Sequence, residues 1–461
     1  MRVLIIGGGV AGLGAAWELV KHGHEVAIFE ASSELGGQVR TFEVGGGRLE
    51  IFYHHLFRSD TAIIGLIDEL GLGPDLEWID SRVGFFARGK HYPFVGAMDL
   101  LRFSDVSFPT RIRLGLAALW LRRYSNWHAY EGRRARDWIL KWVGREGYER
   151  VWGALLRAKF GTRAEEVSLV WFWGKVHLRF ASRQGGLFAK EQLGYLKGSF
   201  GRLIDTLVAK LRERGARLET SAPAARVVIE DDRAVGVALK NPDGSERIER
   251  ADLVLATVPS YALIGLLPEI DPEYREKLES VQYQWATVLV LSMDRALSPT
   301  YWLTVTDDDC PFVVAVEQTN FVSPERYGGN HVIYFSNYCD PGDPAADETA
   351  DQTFERYLPF IRRINPDFDP SWVREKWLFK DRAGQPVVDA EYHTRIPGHR
   401  TPVPGLYLAN TTQVYPEDRG QNYSIRMGQR VAQLMMSDLG GQDAPLEPDA
   451  VAAAEAVGAS R

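Results

Sequence analysis

Three glycines and one acid near the start of this 461-residue chain carry its clearest chemistry. Gly7, Gly9 and Gly12 are spaced G-x-G-x-x-G, and Glu30 follows eighteen residues after the last of them. Val3 to Ile6 is an apolar run suited to a buried parallel strand. Ala15, Ala16, Leu19 and Val20 then recur at helical spacing, Gly23 stops the helix, and Glu25 to Phe29 reads as a second strand ending at Glu30. In such a βαβ unit one glycine makes a tight turn, the next admits a pyrophosphate to the backbone, and the third lets helix and strand pack closely. The free N–H groups and positive dipole end of the helix then receive the pyrophosphate. Glu30 is placed to accept hydrogen bonds from ribose hydroxyls.

A second glycine pair extends this site. Glu34, Leu35, Gly36, Gly37, Arg40 and Thr41 form E-L-G-G-x-x-R-T. Gly36 and Gly37 let the backbone pass close to a long ligand, and Arg40 can face a phosphate. A nicotinamide dinucleotide does not need this pair; an extended FAD lying along the sheet does. Farther on, Gly405 to Asn410 reads as a short buried strand, followed by the loop Tyr415-Pro416-Glu417-Asp418-Arg419-Gly420-Gln421-Asn422 and a helix from about Tyr423 to Leu439.

These segments, with the H-x-F run His55-Leu56-Phe57, resemble the FAD-dependent amine oxidase superfamily. That group includes flavin monoamine oxidases, protoporphyrinogen oxidases, phytoene-type desaturases and, more distantly, UDP-galactopyranose mutases. The resemblance implies an α/β fold: a Rossmann-like FAD-binding domain interleaved with an α+β substrate domain containing an antiparallel sheet. It implies that Val227 contacts the adenine side of FAD through its backbone. It also implies that Asp418, Arg419, Gln421 and Asn422 lie beside the flavin, with the following helix pointing its N-terminus at the ring. A helix end so placed favours negative charge on the flavin and stabilises its reduced form. Ala409-Asn410 stands where the family usually has Gly-Asp, and Asn410 is expected at the ribityl chain or a phosphate. His54 and His55 fall where the group places residues close to the isoalloxazine, as proton acceptors or hydrogen-bond partners. Tyr415 and, more weakly, Tyr392 are the tyrosine candidates. An aromatic pair of the amine-oxidase kind cannot be assembled, because Tyr415 has no identifiable partner.

The elements that must position these residues divide the chain into alternating pieces. FAD-binding segments are expected at 1–78, 195–265 and 386–440, and substrate-domain segments at 79–194 and 266–385, with a disordered tail at 441–461. The second substrate segment reads as four strands (from Ala286, Trp302, Pro311 and Val332) and an amphipathic helix, Glu348 to Ile364, kinked near Pro359. The first is helical, basic and aromatic. Between Asp99 and Lys190 there are 18 Lys and Arg against 8 Asp and Glu, a net of +10 that leaves −17 for the rest of a chain of net charge −7. A basic segment within an acidic chain suits an anionic small molecule or a membrane surface better than nucleic acid. Ile112, Leu116, Leu119 and Trp120 make an apolar face flanked by Arg111, Arg113, Arg122 and Arg123. Such a face fits a membrane surface or a helix packed on its own domain, and the packed arrangement is the expected one.

Two cysteines, Cys310 and Cys339, without a C-x-x-C or neighbouring histidines, exclude a disulfide framework, a zinc site and a dithiol redox pair. No metal is expected. The chain opens on a strand, with no leader expected ahead of it, and no run of about 18 apolar residues occurs. A cytoplasmic location is expected, with contact at the inner membrane face as the alternative for the Arg111–Tyr124 segment. The expected function is hydride transfer between flavin N5 and a largely apolar substrate, anionic or lipid-linked, with the electron acceptor open. The alternative is a non-redox flavoenzyme like the sugar-nucleotide mutase. Glu30→Ala is expected to weaken FAD binding by roughly 10- to 100-fold, as for lost hydrogen bonds to a charged group, read as flavin absorbance retained on purification.

Overall fold

The computed structural model describes residues 1–94, 96–181 and 192–439. The expected tail at 441–461 lies outside the described residues. A five-stranded parallel sheet forms the centre, in spatial order 406–408, 253–256, 2–6, 25–29, 217–219. Its inner strands are continuous apolar runs, Val3-Leu4-Ile5-Ile6 and Leu253-Val254-Leu255-Ala256, buried on both faces as a covered parallel sheet requires. All five strands run the same way, so their C-terminal ends share one edge, where ligands bind in open α/β sheets.

Helices 10–21 and 421–439 pack against one another beside this sheet. They approach so closely that a Cβ on Gly428 would stand 2.1 Å from the Ala11 carbonyl oxygen, and one on Gly14 would stand 3.3 Å from the Ile425 carbonyl oxygen. This contact joins residues more than 400 apart and fixes where the last helix begins. A three-stranded antiparallel sheet, 224–230, 233–240 and 246–250, covers the other side of the parallel sheet.

The second large sheet has seven strands in the order 373–386, 283–293, 331–339, 314–317, 302–305, 83–87, 90–93. Its strands between 283 and 386 pair antiparallel, as expected. Strands 302–305 and 83–87 instead pair in parallel, so the sheet is mixed. The parallel pair arises because 83–93 arrives as a separate hairpin from the earlier, otherwise helical segment and is added at the edge. Helix 350–364 covers one face of the sheet and continues through Pro359, without ending there. The other face shares a core with the nucleotide domain through Val288, Val290, Val316 and Tyr334.

The segment 97–181 is a helical layer around an aromatic core of Trp127, Trp138, Phe160, Trp171, Phe172 and Trp173. Its helix 108–123 departs from expectation. Thr110, Leu114, Ala117 and Leu121 form the packed face. Ile112, Leu116, Leu119 and Trp120, the face expected to pack on the domain, lie in the open at 39, 62, 40 and 54% exposure. The helix is apolar on two opposite sides, and periodicity alone cannot say which one the core takes.

Gly428→Ala is expected to cost about 1–3 kcal/mol, the range for overpacking a tight contact. Denaturant unfolding and retained flavin absorbance should fall together, since the same contact seats the loop before the last helix.

Candidate active site

The nucleotide end of the site is built by glycine. Gly7 turns with φ +107°, and a Cβ on Gly12 would stand 2.2 Å from the Gly7 carbonyl oxygen. The first turn is thus pressed against the helix, as the spacing requires. Gly36 (φ +110°) donates its N–H to the Gly8 carbonyl at 2.8 Å, and Gly37 lies across from Gly9, where a Cβ would stand 3.1 Å from the Gly9 Cα. The two glycine turns therefore meet and leave a half-buried strip of backbone with no side chains. Glu30 receives the Gly8 N–H at 2.7 Å and the Ser32 N–H and Oγ–H, both at 2.8 Å. Its carboxylate braces the glycine turn as well as standing at the strand tip. Arg40 folds back, its Nε donating to the Gly37 carbonyl at 3.0 Å. Val227 is fully buried and pairs with Val237.

The flavin end departs further from expectation. Asn410 is turned into the protein: its Nδ2 donates to the Val258 carbonyl at 3.0 Å and its Oδ1 accepts the Thr412 N–H at 3.0 Å. Both ends of the amide are used within the chain, in place of a phosphate or ribityl contact. Asn422 likewise accepts the N–H groups of Ala62 and Ile63 at 3.0 and 3.2 Å, tying the last helix to the start of helix 61–69. Gln421 differs from both. It is buried at the first position of helix 421–439, and neither end of its amide has a protein partner. Buried amides are almost always paired, so this position fits a ligand group that both donates and accepts, as a flavin pyrimidine edge does.

Asp418 and Arg419 face opposite ways. Asp418 is buried and meets Lys159 Nζ and Lys175 Nζ, both at 2.5 Å, and Trp171 Nε1 at 3.0 Å, all from the helical segment. Burial opposes its charge, yet Lys159, Lys175 and Arg419 hold it well below the usual carboxylate range. Burial pushes the Lys159 ammonium down, with Asp418 opposing. Arg419 donates to Gln385 Oε1 and Tyr338 OH, both at 3.0 Å, on the seven-stranded sheet, and lies 3.5 Å from Gln38 Oε1. The loop thus ties the nucleotide segment, the sheet and the helical layer together.

The three candidate catalytic residues do not converge. His54 lies near Arg419; burial, with Arg419 adding, pushes its imidazole down to about 4, so it is neutral at pH 7 and a poor base. Its buried Nδ1 has no hydrogen-bond partner. His55 has different neighbours, Tyr301 OH at 3.1 Å and the rings of Phe57 and Trp302. It belongs to an aromatic wall. Tyr415 is buried in the helical layer's core, edge-on to Trp127 at 5.5 Å and beside Tyr392 at 6.2 Å, while Tyr392 OH donates to the Thr412 carbonyl. Both tyrosines pack in this core, and the buried Tyr415 hydroxyl has no hydrogen-bond partner. Lys159, Lys175, Trp171, Tyr338, Gln38 and Gln385 were missed. The excess of basic residues in 99–190 pointed toward the two lysines. Nothing in the local pattern marks Tyr338 or Gln385, whose strands alternate like any others.

The model of a known family, flavin containing amine oxidoreductase, matches residues 10–436. The chain belongs to this family. FAD is its cofactor, and the glycine strip and the unpartnered Gln421 amide fit it. A Mycobacterium tuberculosis protein described as a flavin-containing monoamine oxidase, AofH, is 23% identical over 316 residues, covering 65% of each chain. The 15-cis-phytoene desaturase of Solanum lycopersicum is 25% identical over 322 residues, covering 65% of this chain and 54% of that protein. The match thus spans less than two-thirds of either relative. The structure of cyclohexylamine oxidase from Brevibacterium oxydans superposes with a TM-score of 0.72 at 16% identity, covering 95% of this chain and 99% of that one, which shows a shared fold. No helix among the described residues is long and apolar enough to cross a membrane, and no cluster of metal-ligating side chains occurs among them.

Gln421→Leu separates a cofactor contact from a structural one. It is expected to weaken FAD binding about tenfold, as for one or two lost hydrogen bonds, and to shift the flavin absorbance bands of the loaded protein. The unfolding free energy of the flavin-free protein should hold or rise, because an unpaired buried amide is removed. A drop there with unaltered flavin binding would give the residue a structural role.

Proposed function

We propose that the protein is a FAD-dependent oxidoreductase acting on a largely apolar substrate that carries an anionic group. The observation that supports this best is the charge around the loop before the last helix. Lys159 and Lys175 meet one carboxylate there, Asp418, and Arg419 adds its charge from the next position while facing the sheet. With both lysines protonated the four groups carry a net charge of +2. The Lys175 side chain is 45% exposed and that of Lys159 18%, so an anion arriving from solvent meets Lys175 first. Its charge would then hold a proton on Lys159, which burial otherwise disfavours.

Bound FAD supplies two-electron chemistry at its N5. The chain's own contribution is position and dryness. Tyr53, its phenol pushed up by burial and by Tyr338, forms with Trp302 and Tyr334 an aromatic wall that His55 joins, and His54 follows Tyr53 in the chain. A neutral His54 can donate or accept one hydrogen bond without bringing charge to the site. With His54 a poor base, the site fits removal or addition of a hydride at carbon, since flavin redox chemistry asks little acid–base help of the protein. Asp418 orients the two ammonium groups, and Trp171 lies within cation–π distance of both at 5.1 and 5.7 Å.

The flavin-loaded protein titrated with oleate and, separately, inorganic pyrophosphate reports this site through its absorbance bands. One of the two should perturb the bands, and Lys159→Met/Lys175→Met should weaken that binding roughly tenfold or more, as for lost charge-assisted hydrogen bonds, with flavin content unchanged. Equal binding by the double variant would remove the lysines from substrate recognition. Substrate that bleaches the flavin without added reductant supports the redox reading. Turnover that appears only after dithionite reduction, with no net redox change, would replace it with a mutase-like reaction.

A further inference from the structure

We propose that the outer face of helix 108–123 is a docking surface for a membrane bearing anionic lipids. Eleven large hydrophobic side chains are exposed among the described residues, and eight lie between Met98 and Trp142. Five of these, Phe108, Ile112, Leu116, Leu119 and Trp120, share one side of a single helix, opposite its packed face. Helix 97–102 extends the patch: Leu100 packs against Gly115, and Met98 and Leu101 are exposed beside it. Scattered exposed apolar residues are ordinary, but a contiguous set marks an interaction surface.

Charge decides the occupant. Arg113 lies along one edge of the stripe, Arg123 near its C-terminal end and Arg102 at the end of the adjoining helix, all exposed. No acidic residue occurs within 108–123. Of the nearby carboxylates, Asp105 is buried against Arg88, Glu146 accepts from Ser107 and Thr110, and Asp99 accepts the Gly96 N–H. Apolar side chains framed by arginine suit an acyl boundary beneath anionic headgroups. Aromatic residues mark the rim. Trp120 stacks on Tyr124 and Trp142 at 5.9 and 6.4 Å, and its Nε1 donates to Tyr130 OH, a ring with one apolar face and one tethered polar edge. Behind Trp120 a groove of about 540 Å³ opens, with Arg133, Arg134 and Lys141 in its lining together with Asp137 and the aromatic rings. The groove continues the stripe and could receive the headgroup of an amphiphile leaving the bilayer.

Co-sedimentation of the flavin-loaded protein with vesicles tests this. The protein should pellet with vesicles of one-third phosphatidylglycerol in phosphatidylcholine and stay largely in solution with phosphatidylcholine alone. Arg113→Gln/Arg123→Gln should weaken binding about fivefold per arginine. Phe108→Ser/Leu116→Ser should weaken it by about tenfold or more, with flavin content and thermal midpoint held, since both side chains lie outside the core. A wild-type protein that stays in solution with the anionic vesicles overturns the proposal. So does a dimer in lipid-free solution, seen by light scattering, that Phe108→Ser/Leu116→Ser splits, because the stripe would then belong to a second copy.

Discussion

Helices 10–21 and 421–439 touch backbone to backbone at Gly14 and Gly428, and the rest of the site depends on that contact. It fixes the start of the last helix, and with it the loop 415–420 at the strand-end edge of the parallel sheet. Once that loop is set, Asp418 reaches the helical layer, Arg419 reaches the seven-stranded sheet and Gln421 is left without a protein partner. Side chains any larger would separate the helices and move all three residues at once. Two bare backbone surfaces thus provide the cofactor strip and its alignment with the substrate domain.

The fold was legible wherever a physical rule acts over a short stretch of chain. Gly7, Gly9 and Gly12 could be read because each meets a local demand, a turn or a close approach. The interleaved segments could be read because apolar runs and amphipathic periods last a whole element. Asn410 and Asn422 could not. A polar residue in a loop names no partner, and both proved to pair with backbone N–H or C=O groups far away in sequence, at Val258, Ala62 and Ile63. His54 and His55 show the same limit in another way. Adjacent in sequence, they meet different surroundings, one beside Arg419 and the other against Tyr301.

Composition was ambiguous in the helical layer. Thirteen tryptophans could mean a large core or a large surface, and both are present. Trp127, Trp171 and Trp173 are buried within the layer, while Trp120 and Trp142 are open. Likewise, the basic residues of 99–190 include both a pair on Asp418, Lys159 and Lys175, and an outward rim of arginines. A charge count cannot separate an anion site from a docking edge, because the separation depends on which helix face turns inward.

The strand order of the parallel sheet also bears on how the protein is made. Strand 253–256 is flanked by strand 2–6 on one side and by 406–408 on the other. A ribosome elongating at about 5–20 residues per second needs on the order of 20–80 s to travel from the first strand to the last. Throughout that interval the glycine face of helix 10–21 has no partner, and once 253–256 is made its edge awaiting 406–408 is open to other chains. The nascent chain therefore carries an incomplete nucleotide site through most of its synthesis. The step that closes the sheet waits for strand 406–408, and the seating of the loop waits for the helix 421–439 that follows it.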